Sequence, residues 1–325
     1  MKPFTFEKAK SSSEALKLKV SNRDFVAGGT NIVDLLKKNI AQPDGMVDVT
    51  TALSSEIKMS EKSVHLGAMV RNTALATNAD LLRNYPLITK AVLAGASPQI
   101  RNMASTAGNL LQRTRCPYFY DLTTPCNKRK KGSGCSALNG DNKMSAIVGY
   151  NDQCVAVHPS DLCISLSALD ANVHGLNSKN EKFIIPFKDF HKLPENTPWL
   201  DNNLPHNSVI THMEVPKNEF NKKFAYVKLR ERTSYAFAMI SVGSALQMEG
   251  NTIKDARLAS GGVAHKPWRW YEAEDYLKGK QVSEEVFKKA SEIATEKVKP
   301  LAHNGYKVPM LKGAIELALQ NASKL

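Results

Sequence analysis

At 325 residues with 42% hydrophobic content, the chain is long enough for two or three domain cores and has an ordinary globular composition. No run approaches the roughly 18 apolar residues of a membrane span, and the opening MKPFTFEKAKSS carries an early lysine but no apolar segment, so no cleaved export signal is expected. A net charge of +13 suits nucleic acid, an acidic membrane face or an acidic protein partner; the lysines are spread over the whole chain, which favours a solvated basic surface, and no RNP, zinc-finger or helix-turn-helix signature accompanies them.

Residues 1–60 read as a small α/β unit. Asp24–Ala27 is a short strand, Gly28-Gly29-Thr30-Asn31 a turn, and IVDLLKKNI a helix with an apolar stripe at Ile32, Val33, Leu35, Leu36 and Ile40. Met46–Val49 is the returning strand. Paired glycines at a strand-to-helix turn suit an anion, because the missing Cβ atoms let backbone N–H groups approach phosphate oxygens. A tight turn needs glycine in any case, and GxGxxG, the nicotinamide-type fingerprint, is absent. Ser63–Val70 alternates as a strand, and helices are expected from Asn72 through Leu82 and from Pro86 through Ala94. Ser105-Thr106-Ala107-Gly108-Asn109 is a second small, hydroxyl-rich turn, which facing the first would complete a dinucleotide site.

From Gln112 to Asp161 neither period is visible, and prolines and glycines are frequent. This stretch holds Cys116, Cys126, Cys135 and Cys154, with nine, eight and eighteen residues between successive members. So long a structureless loop is uncommon unless something else folds it, and thiolates converging on one centre would supply that cohesion. A disulfide framework fits a small secreted chain better than this one. Structural zinc usually shows CxxC knuckles, which are missing. An iron–sulfur centre tolerates wider ligand spacing. Spacing alone leaves the three open. The run Lys128-Arg129-Lys130-Lys131 between two of the cysteines would offset a thiolate centre's charge or face a partner. His158 reads as a loop hydrogen-bonder and Cys163, in DLCISLSALDA, as a small buried hydrophobe.

Beyond residue 165 a helix, a short hairpin around Gly175, a Pro- and Asn-rich loop (HKLPENTPWLDNNLPHN) and the strand Val209–Val215 are expected, then a polar linker near 216–223. FAYVKLR, FAMISVGSALQM and TIKDARLASGGV read as consecutive strands with a hairpin at Glu249-Gly250-Asn251. Amphipathic helices follow near 270–279, 283–297 and 310–322.

Five segments in this order, VAGGTN (26–31), HLGAMVRNT (65–73), QIRNMASTAGNL (99–110), HPSDL (158–162) and GGVAHKPWR (261–269), resemble the FAD-binding medium subunit of the molybdenum hydroxylases. TRCPYFYDLTTPCNKRKKGSGC is similar to the branch of periplasmic aldehyde oxidoreductases whose FAD subunit carries an extra 4Fe–4S cluster on an inserted loop. The resemblance implies an α+β fold: a two-part FAD-binding domain of the vanillyl-alcohol-oxidase (PCMH) type over 1–217, divided near 60, with the insertion at 112–157. A smaller C-terminal domain of antiparallel sheet and helices would span 222–325. It implies that Val26, Ala27, Gly28, Gly29, Thr30, Asn31, Ile32 and Val33 wrap the FAD diphosphate, with Ser105, Thr106, Gly108 and Asn109 as a second wall. Ala107 replaces the family's second glycine there, which suggests negative φ or a looser contact. Asp161 would contact the flavin's sugar and ribityl hydroxyls, against the alternative of a helix N-cap.

Lys228 and Arg230 would turn a basic group to the flavin, or simply occupy an exposed strand face. Tyr235 and Trp268 would shield the isoalloxazine, or pack in the core. Cys116, Cys126, Cys135 and Cys154 would hold the 4Fe–4S cluster. The implied function is an electron relay in a heterotrimer with a molybdenum-cofactor large subunit and a 2Fe–2S small subunit. No nucleophile–base pair is visible, so the cofactors carry the chemistry. Export to the periplasm on a partner bearing a twin-arginine signal is expected. Two other classes are a metal-stapled basic binding module without FAD, and a stand-alone flavin oxidase.

Overall fold

The computed structural model describes residues 1–20 and 22–324. Three sheets organise it. Strands β1 (Thr5–Lys8), β2 (Arg23–Val26) and β3 (Gly45–Asp48) form a small parallel sheet in the order β1-β3-β2, crossed by helices Ser12–Leu18 and Ile32–Lys37. Strands β4 (Ile57–Met59), β5 (Ser63–Gly67), β6 (Asn172–Leu176), β7 (Lys182–Pro186) and β8 (Val209–Pro216) form an antiparallel sheet ordered β4-β5-β8-β6-β7. Strands β9 (Phe224–Leu229), β10 (Ile240–Glu249), β11 (Thr252–Gly261) and β12 (Trp268–Arg269) make the C-terminal antiparallel sheet, ordered β12-β11-β10-β9. Helices Tyr271–Leu277, Glu284–Thr295 and Lys307–Lys324 cover it. This is the α+β, two-domain arrangement expected from the sequence. Among the described residues no helix is long and apolar enough to cross a membrane.

The helix Asp161–Ala168 positions the site. Every residue from Leu162 to Ala168 is buried, the pattern of a helix enclosed on all sides. Ser160 caps it by accepting from the Cys163 N–H, so Asp161 is not the cap but the first helical residue. Leu162 and Ile164 join a core that also takes in Ala245 and Ala259 of the C-terminal sheet.

Several sequence expectations change. The helix expected from Asn72 to Leu82 is two, Asn72–Thr77 and Ala79–Asn84, because Asn78 adopts extended backbone and caps the second through Leu81 N–H. The strand opening at Ser63 ends at Gly67 rather than Val70. The hairpin turns at 177–181, where Asn177 Oδ1 accepts from the Lys179 and Glu181 N–H groups. Gly175 lies inside β6 at an irregularity in its pairing with β8. A Cβ there would meet the Phe183 ring at 2.2 Å and the Val209 carbonyl at 2.6 Å, so close approach, not a turn, requires this glycine. Gly175→Ala is therefore expected to lower the stability of the chain by about 1–3 kcal/mol in urea unfolding; an unchanged midpoint and slope would show that the sheet absorbs the methyl group.

Candidate functional site

A cavity of about 880 Å³ lies between the small parallel-sheet unit, the helical segment 92–112 and the C-terminal sheet. Gly28, Gly29, Thr30 and Val33 line one side, Gly108 and Asn109 another, and Asp161 and Lys228 a third. The glycines are needed by contact. A Cβ on Gly28 would stand 1.8 Å from the Met103 carbonyl oxygen, and Gly29 holds φ +74. Asn31 is not among the lining residues; its Oδ1 accepts from Arg113 N–H at 2.9 Å, leaving its buried Nδ2 without a partner. Val26 and Ala27 support the turn from behind, Val26 in β2 and Ala27 against the small unit's core. Ile32 packs beside Leu35, Phe119 and Cys126. Thr106 donates to Val70 O and Ser105 accepts from Gly108 N–H, so both brace the second turn without facing the cavity. Ala107 sits in the short helix Thr106–Leu110, with φ outside the positive region.

The two oxygens of Asp161 are engaged across the domain boundary: Oδ1 accepts from Tyr226 Oη and Oδ2 from Lys228 Nζ, each at 2.7 Å. Burial and the neighbouring carboxylate hold the Tyr226 phenol well above its ordinary range. Lys228 also donates to Ala94 O at 3.1 Å, and Arg230 to the same carbonyl at 2.9 Å. Arg101 Nη1 binds Gly95 O at 2.7 Å and Ala96 O at 3.3 Å. Cationic donors thus fix three consecutive carbonyls of a cavity wall in which Ala96 adopts φ 51. Arg230 acts through that wall and does not line the cavity. Tyr235 lines it; Trp268 does not, its ring lying against Gly149 and Trp270. Sequence reasoning missed Gly95, Arg115, Glu231 and Phe237, which also line the cavity.

The loop 112–157 contains the short helix Pro117–Tyr120 and two isolated bridges, Cys126 with Cys135 and Asn151 with Cys154. All four of its cysteines line one small space of about 10 Å³, room for a single water. The Cys154 thiol donates to Cys135 sulfur, which lowers the Cys135 pKa and raises that of Cys154. Burial pushes the Cys116 thiol up to about 11. Backbone N–H groups of Tyr118 and Phe119 are directed at Cys116, those of Ala137, Leu138 and Val155 at Cys135, and that of Ala156 at Cys154. Such donors favour sulfur that bears negative charge.

A second cluster, His158, Cys163 and His191, is compact enough for an ion and fully buried. Its protons argue otherwise. Ser160 N–H donates to His158 Nδ1, which puts that ring's proton on Nε2, and His191 Nε2 donates to Leu110 O at 2.9 Å. Cys163 is held as a thiol by burial, pushed up to about 12, and its Sγ donates to Asn109 O. Of the ring nitrogens in this set, His191 Nδ1 alone keeps a free lone pair.

A third cavity of about 350 Å³ joins the other two spaces. It shares Arg115, Asp161 and Phe237 with the large cavity and Thr114, Cys116 and Ala156 with the cysteine pocket.

Two measurements follow. Gly28→Ala is expected to weaken flavin retention about ten- to a hundredfold, the equivalent of about 1–3 kcal/mol of overpacking. Gly313→Ala, whose Cβ meets nothing within 4 Å, should retain flavin fully, and equal retention by both would refute the role of the turn. Separately, burial drives His191 down to about 4 and His265 down to about 3. Unfolded, both titrate near about 6.5, so between about pH 6.5 and 4 the unfolded chain binds protons that the folded chain refuses. Stability is then expected to fall as pH drops through that window, and His191→Gln should flatten the slope of the urea midpoint against pH; an unaltered slope would contradict this.

Residues 2–218 match the family described as the FAD binding domain in molybdopterin dehydrogenase, and residues 224–322 the CO dehydrogenase flavoprotein C-terminal domain. The chain is 40% identical to the aldehyde oxidoreductase FAD-binding subunit PaoB of Escherichia coli K12, across 99% of both chains. It is 27% identical to the glyceraldehyde dehydrogenase medium chain of Sulfolobus acidocaldarius, over 93% of this chain and 91% of that one. Quinoline 2-oxidoreductase from Pseudomonas putida 86 shares the fold, with a TM-score of 0.76 at 19% identity over 99% and 97% of the two chains.

Proposed function

The chain belongs to the FAD-binding subunits of the molybdenum hydroxylases, and from that premise we propose that it is the electron-transfer subunit of an aldehyde oxidoreductase complex, holding FAD and a 4Fe–4S cluster. The aldehyde assignment is supported by the 40% identity to the Escherichia coli subunit. A large subunit with the molybdenum cofactor and a small 2Fe–2S subunit are its partners, and an external acceptor takes the electrons. The complex works in the periplasm, exported folded on a partner that bears a twin-arginine signal; this compartment rests on the sequence resemblance. When bound, the cluster carries single electrons, and FAD takes them singly and releases them in pairs.

The residues fit both groups. Gly28 lets the turn pack against the Met103 carbonyl and Gly29 takes its left-handed position, so the turn's backbone lines the cavity where a diphosphate would bind, and the unpaired Asn31 Nδ2 is a donor beside that turn. Lys228 and Tyr226 orient the Asp161 carboxylate, whose remaining lone pairs accept from sugar or ribityl hydroxyls. The carbonyls of 94–96, held by Lys228, Arg230 and Arg101, keep the opposite wall from closing. In the inserted loop four cysteines line one pocket, with amide N–H groups aimed at the sulfurs of Cys116, Cys135 and Cys154. Cys116, Cys126, Cys135 and Cys154, as thiolates, would hold a four-iron core there in place of the Cys135–Cys154 hydrogen bond. One observation carries the relay reading: Arg115 lines the flavin cavity and Cys116, its neighbour in sequence, lines the cysteine pocket.

Anaerobically purified protein should contain about one flavin, four irons and four sulfides per chain. Colourless protein carrying zinc would overturn both cofactor assignments. Cys135→Ala should remove the cluster absorbance and leave the flavin band; electron transfer at the wild-type rate in that complex would reduce the cluster to a structural staple.

A further inference from the structure

Within the basic run of the inserted loop, Lys130 and Lys131 are exposed but Lys128 is not surface charge. Lys128, two residues after Cys126, lines the same pocket as the four cysteines, and its side chain is 3% exposed. Its ammonium donates to Pro198 O at 2.9 Å and to Asp201 Oδ1 at 2.5 Å. Arg113 pairs with the other oxygen of Asp201, so two cations share one carboxylate and the group keeps a net positive charge. Asp201 belongs to the Pro- and Asn-rich segment, which is pinned across the loop at two further points. Lys131 Nζ stands 4.7 Å from the centroid of the Trp199 ring, and Asn151 Nδ2 donates to Glu195 O at 2.9 Å.

An enclosed ion group with an uncancelled positive charge is a poor source of stability, since desolvation consumes most of the Coulomb gain. Its position makes sense beside a centre that carries negative charge. We propose that Lys128 raises the reduction potential of the cysteine-ligated centre and that Asp201 sets how much of the lysine's charge the centre feels. This deepens the cluster reading above and rests on it. One-electron reduction adds one negative charge to the centre. A fixed cation in a weakly polar surrounding favours that reduced form, and a carboxylate paired with the cation opposes it. The two residues therefore tune in opposite directions, which a merely structural salt bridge would not do.

The test is an EPR-monitored redox titration of the assembled complex, with iron counted per chain, for the wild type and for Lys128→Met, Lys128→Arg and Asp201→Asn. The midpoint of the cysteine-ligated centre should fall in Lys128→Met, stay near wild type in Lys128→Arg and rise in Asp201→Asn. An iron-retaining Lys128→Met or Asp201→Asn protein with the wild-type midpoint, or a shift of the opposite sign, overturns the proposal. Loss of iron from all three variants also overturns it, assigning the pair to building the site instead. A wild-type chain without iron and sulfide refutes the cluster reading itself, and this inference with it.

Discussion

The arrangement depends on one buried contact between domains, the Asp161 carboxylate against Lys228 and Tyr226. With side chains 10% and 4% exposed, Asp161 and Lys228 are too enclosed for their pairing to add much net stability. Removing one partner, however, leaves an uncompensated charge, at about 3–5 kcal/mol. The contact is therefore better understood as a constraint on geometry than as glue. It fixes where β9 lies against the helix Asp161–Ala168, and β9 brings Lys228 and Arg230 to the Ala94 carbonyl. The wall at Gly95 and Ala96 follows from that, and with it the width of the large cavity. A domain shift that broke the pair would open the cavity along that side.

What could be read in the sequence was chemistry that is local. Two adjacent glycines at a strand-to-helix turn carry their meaning within a few residues. The strands of the C-terminal sheet were legible for the same reason, since alternation and the Glu249-Gly250-Asn251 turn lie within one hairpin. Features imposed from a distance were not legible. Ala96 takes a left-handed backbone because Arg101 gathers the carbonyls of Gly95 and Ala96, with Lys228 and Arg230 on Ala94 beside them, and nothing in AGAS announces it. Gly175 looked like a turn residue, yet it is glycine because Phe183 crosses it. Trp268 looked available to a flavin, but Gly149 opens a space for its ring on the other side of the C-terminal sheet. The first strand, Thr5–Lys8, and the helix Ser12–Leu18 went unassigned because half-exposed elements of this length show little period.

The insertion poses a different problem, since a long excursion between Asn109 and Asp161 must leave the flavin site intact. Lengthening a loop costs little in closure entropy, provided its ends are held. Here they are stitched together: Ser160 Oγ donates to Asn109 Oδ1 and Cys163 Sγ to Asn109 O. The excursion is then anchored at its far side by the C-terminal domain. Lys307, wholly buried and pushed down to about 7 by that burial, donates to Ser145 O at 2.9 Å and Gly262 O at 2.8 Å. Asn304 adds bonds to the Ser145 and Ala146 carbonyls. An ammonium satisfied only by carbonyls, with no carboxylate beside it, is costly to bury, and its return is position: it ties the cysteine loop to the Gly261-Gly262 turn that borders the joining cavity. The cysteine pocket is thus referenced to both domains, through Arg113 and Lys128 on Asp201 on one side and Lys307 on the other. Its distance from the large cavity is set by the same domain packing that shapes that cavity and by the Arg115–Cys116 peptide link that joins the two linings.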